Sequence, residues 1–278
     1  MSTEYLSSFN SKNMEMVSIM DELPFWSAPF GIQLLDAVRY RRNIRVLDIG
    51  FGTGFPLLEL AMRLGNSSRV VGLDPWKAGH KRTKDKIRFA GIKNVDLVVG
   101  DAERMPFKDE SFDLIVSNNG LNNVSDLSKA IKECARVAKK GASFVFSYNT
   151  QQTFHEFYSL FRQSLRKWGL SNCLAKLEEH IYSKRRPLSE YKNELLAAGF
   201  KIQKIKKDVF VYRFTDGTAM LNHSFIKLAF LPAWQELVPK TKQKEVFEDV
   251  EQRMNSSAKK KNGFTMTVPF AIFDCIRQ

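Results

Sequence analysis

Short apolar runs separated by amphipathic stretches recur through the first 150 residues. Residues 44–47, 69–73, 95–99, 111–116 and 142–148 are too short for helices and rich in β-branched or aromatic side chains, and they predict five strands. Between them, residues 56–64 and 127–138 carry helical spacing, the second closed at Lys140-Gly141, where basic residues and a glycine favour a helix end. Upstream, residues 14–20 and 31–40 predict two helices around a proline-bounded aromatic turn at 24–30. Strand alternating with helix predicts a parallel, doubly wound sheet.

Beyond residue 150 the pattern changes. Residues 153–170 and 172–182 read as inserted, aromatic-rich helices, 187–198 as a further core helix closed by Gly199, and 200–214 as a sixth strand. A second insertion over 216–261 precedes a last strand over 264–276. The expected fold is α/β: a Rossmann-like, seven-stranded, mostly parallel sheet with helices on both faces, an antiparallel last strand, and helical insertions forming a cap. The expected organisation is an N-terminal helical segment and candidate lid (1–43), a cofactor-binding core (44–150), and the rest of the sheet (151–278), with insertions at about 151–183 and 216–261 as the substrate cap. Insertions in such folds sit where ligands bind, above the carboxyl ends of the strands.

The chemistry starts at Asp48-Ile49-Gly50-Phe51-Gly52-Thr53-Gly54, between the first strand and the helix beginning at Pro56. Glycines there open dihedrals closed to other residues and let the main chain approach a ligand, and the following helix aims free N–H groups at it. The dinucleotide fingerprint needs a glycine where Phe55 stands, which lowers nicotinamide and flavin cofactors. Asp74 ends the second strand about twenty residues on, where such sheets hold ribose hydroxyls. Gly100-Asp101-Ala102-Glu103 follows the third strand and Asn118 the fourth. Taken singly, each of these acids is more often a helix or turn cap; the recurrence strand by strand is what carries the reading.

Over residues 45–150 the chain resembles the class I S-adenosylmethionine-dependent methyltransferases, especially the branch that includes ubiquinone and menaquinone biosynthesis enzymes and many small-molecule methyltransferases. The resemblance implies S-adenosyl-L-methionine as cofactor. It places Asp48 on the methionine amino group, Gly50, Gly52 and Gly54 under the cofactor, and Asp74 with Pro75 at the ribose. It places Asp101 at the adenine amine, the Ala102 backbone at a ring nitrogen, and Asn118 on the cofactor side. Relatives often carry histidines where this chain has Asn122 and Asn123, and asparagine is no base at neutral pH. The base then comes from the insertions, with His223 and His155 as candidates, or the acceptor arrives ionised, or an amine or thiol reacts after losing its proton to solvent.

Aromatics of the insertions and of the N-terminal turn suggest an acceptor pocket of Trp26, Asn119, Asn122, Phe154 and Tyr158, suited to a small, apolar or aromatic molecule; the simpler role for each is to bury a helix. The formal charge is +13, of which residues 1–150 hold +4 and residues 151–278 hold +9. Such runs are usually solvated faces, although they also suit an anionic acceptor or, as a minority reading, RNA. No RNA-binding module is recognisable, so nucleic acid is an unlikely partner; RNA or protein methylation is the alternative activity, and a non-catalytic cofactor-binding scaffold or sensor the second alternative. Three scattered cysteines, no metal-ligand spacing, no apolar run of membrane-spanning length and no secretory start lead us to expect a cytoplasmic protein with no metal.

Overall fold

Five of the apolar runs become parallel strands: β1 (Arg45–Ile49), β2 (Arg69–Asp74), β3 (Val95–Val99), β4 (Phe112–Asn118) and β5 (Ala138–Asn149). In the computed structural model, which describes residues 12–15, 17, 18 and 26–278, they share one sheet with β6 (Phe200–Phe214) and β7 (Phe264–Arg277), in the order β3-β2-β1-β4-β5-β7-β6. β1 lies parallel between β2 and β4, so Asp48 stands opposite Gly72 on one side and Val116 on the other. β7 runs antiparallel to β5, with Asn149 opposite Phe270. The expected sheet is therefore present, including its antiparallel last strand. Residues 16, 19 and 20 of the helix expected over 14–20, and Pro24 and Phe25 of the aromatic turn, lie outside the described residues.

The chain divides into two units. One comprises Pro24–Thr150, Ser183–Asp208 and Phe270–Gln278; the other comprises Met1–Leu23, Gln151–Tyr182 and Val209–Pro269. The first unit holds α1 (Ala28–Ala37), α2 (Leu57–Leu64), α3 (Lys77–Ala90), α4 (Leu127–Val137) and α7 (Leu188–Ala197); α6 (Asn172–Lys184) ends within it. One face of its sheet is an aromatic-rich core of Phe144, Phe146, Tyr148, Tyr191, Phe200 and Phe273, with Phe146 stacked on Phe273 at 4.7 Å. Each such side chain contributes about 1.5–3 kcal/mol by leaving water. Within the same unit α1 buries Phe30, Leu34 and Leu35, and Phe30 meets Phe270 edge-on at 5.2 Å.

One local expectation needs correction. The helix ends at Val137, not at Lys140-Gly141: Ala138 already pairs with Phe112, and the ladder shifts register before Ser143. Lys139 is held there by Asp113 at 2.8 Å, so a segment that reads as a helix end is the irregular start of β5. Apolar periodicity also gives no sign of α3, whose buried residues are Gly79, His80 and Thr83.

The second unit gathers α5 (His155–Lys167), the first part of α6, α8 (Gly217–Asn222), α9 (Ser224–Ala229), α10 (Leu231–Glu236) and α11 (Gln243–Lys261). Its core is also aromatic. Phe157 stacks on Trp234 at 4.0 Å, and Trp234 Nε1 donates to the Tyr158 hydroxyl at 3.1 Å. Asp249 accepts from Ser164 and Lys167 of α5 and from Arg253; burial pushes its pKa up, but these bonds win and bring it to about 2. Among the described residues, no helix is long and apolar enough to cross a membrane.

Candidate active site

At the carboxyl end of β1 the chain turns through Gly50, Gly52 and Gly54, at φ of 76°, 57° and 112°. A Cβ on Gly50 would lie 2.7 Å from Gly120 Cα, so packing as well as dihedral requires glycine there. A Cβ on Gly52 would meet nothing within 4 Å, which leaves that side of the loop open. Between them Phe51 turns into the core, edge-on to His80 at 4.7 Å and over the bare Cα of Gly72.

Asp74 ties this loop to the next helix. Its Oδ2 accepts from the Gly52 amide at 2.8 Å and its Oδ1 from the Trp76 amide at 2.7 Å, while its backbone carbonyl accepts from His80 Nε2 at 2.7 Å. Each carboxylate oxygen keeps a further lone pair. Pro75 is exposed beside it.

Asp48 is different. Its side chain is fully buried, and neither oxygen has a hydrogen bond of ordinary geometry. Burial, then repulsion from Asp74, raises its pKa well above the usual carboxylate range; a weak pull from the Leu57 amide does not offset this. A buried carboxylate without a partner is costly and marks a place for a cationic or proton-donating group.

The loop after β3 carries Asp101, exposed, with Oδ1 accepting from the Glu103 amide at 2.8 Å, and the buried Ala102. This loop hangs from α4. Glu103 Oε1 accepts from the amides of Ser125 and Asp126 at 2.6 and 2.9 Å, the Met105 amide donates to Glu133 at 2.7 Å, and Arg136 donates to the carbonyls of Met105 and Phe107.

Four asparagines follow β4 or end it, and they have different jobs. Asn118 is a strut: its Nδ2 donates to Ser27 O at 3.0 Å and its Oδ1 accepts from Ser147 Oγ at 2.6 Å. Asn119 takes a left-handed conformation, φ 60°, and its amide donates to Ser147, yet both atoms of its carboxamide are buried and unpartnered. Asn122 is a clip, donating to the carbonyls of Asn149 and Lys184 and accepting from the Asn149 amide. Asn123 is exposed and donates to Asn119 O at 3.4 Å. Trp26 is half-buried, edge-on to Phe30 at 5.4 Å.

The remaining sequence candidates belong to the second unit. Phe154 and Tyr158 are buried in its aromatic core, against Phe230 and Trp234, so they are packing residues here and not an open wall. His155 is exposed beside Glu156 at 3.4 Å. His223 does not lie within a helix as its apolar neighbours suggest; it joins α8 to α9, edge-on to Phe214 at 5.6 Å, with Nδ1 buried and unpartnered. Burial lowers its pKa, which keeps the imidazole neutral.

Sequence reasoning passed over His80, Ser147 and Asn149. Asn149, 4% exposed with an unpartnered Oδ1, ends β5 at the same rim, a position that could have been flagged from the strand pattern alone. Clefts of about 540 Å³ at the amino ends of β1 and β2 and about 590 Å³ between Asp216 and Lys259 contain none of these residues.

Residues 47–146 match the methyltransferase domain family. The chain is 37% identical over 131 residues to a ubiquinone/menaquinone biosynthesis C-methyltransferase of Idiomarina loihiensis, covering 46% of this chain and 52% of that one. It is 28% identical over 193 residues to a demethylmenaquinone methyltransferase of Staphylococcus epidermidis, covering 68% and 78%. The first of these alignments spans only about half of the relative's length. In fold, the YcgJ protein of Bacillus subtilis matches with a TM-score of 0.61 at 18% identity, covering 89% of this chain and 97% of that one. Residues 47–146 thus carry a class I S-adenosylmethionine-dependent methyltransferase domain, whose cofactor is S-adenosylmethionine.

Proposed function

We propose that the whole protein transfers a methyl group from S-adenosylmethionine to a small molecule with an apolar or aromatic ring, of the quinone-related kind named for its relatives. The observation that carries the reading is the orphaned Asp48 carboxylate beside a glycine loop whose open side is at Gly52. These residues fit the cofactor: Asp48 would hold its ammonium group, Asp74 would accept from its ribose hydroxyls, and Asp101 with the Ala102 backbone would face its adenine. Asn118 would act through position, by fixing Ser27 and Ser147.

Bound there, the cofactor would supply a sulfonium methyl, the acceptor's electron pair forming the new bond as the carbon–sulfur bond breaks. The chain's own work is to orient, exclude water and remove a proton where the acceptor carries one. His223, neutral and with a free Nδ1, is the proposed base.

Methyl-labelled S-adenosylmethionine, incubated with the protein and an extract of the source cells, tests the reading after separation into organic-soluble, RNA and protein fractions. Label in the organic-soluble fraction is expected. Label in RNA or protein would overturn the small-molecule reading, and none anywhere would favour a non-catalytic scaffold.

A further inference from the structure

Most of the polar side chains at the carboxyl ends of β4 and β5 spend their hydrogen bonds on the fold. Asn118 and Ser147 bind one another, and Asn122 grips both backbone groups of Asn149. Two carboxamides in the same knot do not. Asn119 leaves both its oxygen and its nitrogen buried and unpartnered, and Asn149 leaves its oxygen so. The two are joined through Asn122, whose amide donates to Asn119 O and whose side chain holds Asn149.

This is an expensive arrangement for a purely structural rim, since a buried polar group without a partner forfeits its hydration. Asn119 bears a second cost, the left-handed backbone in which its two amide bonds to Ser147 hold it. By strand alternation Asn149 shares a face with Ser147, the face on which Asn118 reaches Ser27, just before α1.

The chemistry of the free atoms defines what they would bind. Asn149 Oδ1 can only accept, so its partner must carry a proton on oxygen or nitrogen. Asn119 offers both an N–H donor and an acceptor, and suits an oxygen next to that protic group. We propose that Asn119 and Asn149 are the specificity-determining residues of this methyltransferase, selecting acceptors whose ring carries a hydroxyl adjacent to a second oxygen, as in an enol beside a ketone. The inference rests on the small-molecule reading above and narrows its acceptor class. A bare hydrocarbon ring would leave the carboxamides unpaired and be rejected.

The test compares two probes, 3-hydroxychromone, an enol beside a ketone that keeps its proton at neutral pH, and chromone, titrated calorimetrically into the full chain saturated with S-adenosylhomocysteine. The wild type should prefer the hydroxylated ring by about tenfold or more, the ratio that one well-made hydrogen bond supplies. Asn149→Leu, which leaves the backbone held by Asn122 intact, and Asn119→Gly, which keeps the left-handed conformation open, should each abolish that preference while S-adenosylhomocysteine affinity stays within twofold. Retention of the preference in both variants overturns the proposal. So does an equal loss of S-adenosylhomocysteine affinity, which would make these residues cofactor contacts. A wild type that binds S-adenosylhomocysteine but shows no preference, or binds neither ring, sinks the clamp alone; one that binds no S-adenosylhomocysteine sinks the methyltransferase reading itself.

Discussion

Asp74 Oδ2 accepts the amide of Gly52 across 2.8 Å, so the acid at the end of the second strand also shapes the turn after the first. Replacing Asp74 by Ala therefore removes the proposed ribose partner and frees two amides at once. Affinity for S-adenosylhomocysteine should fall by roughly 1.5–3 kcal/mol. Asp101→Ala, which loses one local bond to Glu103, should show a loss in the same range with little change in melting temperature. Titration calorimetry that finds both variants unchanged would remove the assigned cofactor site.

Asp48 makes a prediction of opposite sign for the protein without ligand. Because burial and Asp74 raise its pKa, the folded chain holds this proton more tightly than the unfolded chain. The associated stability is full at pH below the ordinary value of 3.8 and is lost as pH rises through the raised value. Asp48→Asn should thus stabilise the free protein at pH 7 by about 1–3 kcal/mol while weakening S-adenosylhomocysteine binding. The stability gap should close as pH is lowered toward 4. Thermal unfolding across that range, with and without ligand, measures both effects.

Gly50 and Gly52 should separate folding from binding. Gly50→Ala drives a methyl into Gly120 and should destabilise the domain severely. Gly52→Ala meets only open space, so its cost to folding is the left-handed dihedral, about 1–2 kcal/mol, whereas its methyl stands where the cofactor is expected. A folded Gly52→Ala protein with undiminished S-adenosylhomocysteine affinity would show that the open side of the loop is not the binding side.

If His223 takes the acceptor's proton, His223→Asn should lose most turnover and keep its cofactor affinity. The rising limb of kcat/KM with pH should lie below the ordinary histidine value of 6.5, because burial lowers this pKa. Equal activity in the variant, or a limb above that value, assigns the proton to another acceptor.

The sheet was legible from residues 44–148 because buried parallel strands leave short apolar runs that no solvated segment imitates. The glycine turn was legible for the same kind of reason, since few other structures need three glycines at that spacing after a strand. Helix α3 was not, because its buried face is Gly79, His80 and Thr83: it approaches Gly52 through the absence of a side chain, and a missing Cβ has no hydropathy. Asn122 shows the limit from the other side. It stands where relatives often place histidine, which suggested a role toward the acceptor, but its atoms hold Asn149 and Lys184. Which asparagine binds the fold and which is left free depends on partners 27 to 62 residues away, and composition cannot rank them.

The suspension of residues 101–107 from α4 gives the loop proposed to face the adenine an unusual dependence. With Glu103 capping Ser125 and Asp126, and Glu133 and Arg136 holding Met105 and Phe107, that loop has few bonds of its own to lose before α4 itself opens. In hydrogen exchange its amides should open together with that helix as a single cooperative unit, on the same slow timescale, although they belong to a surface loop.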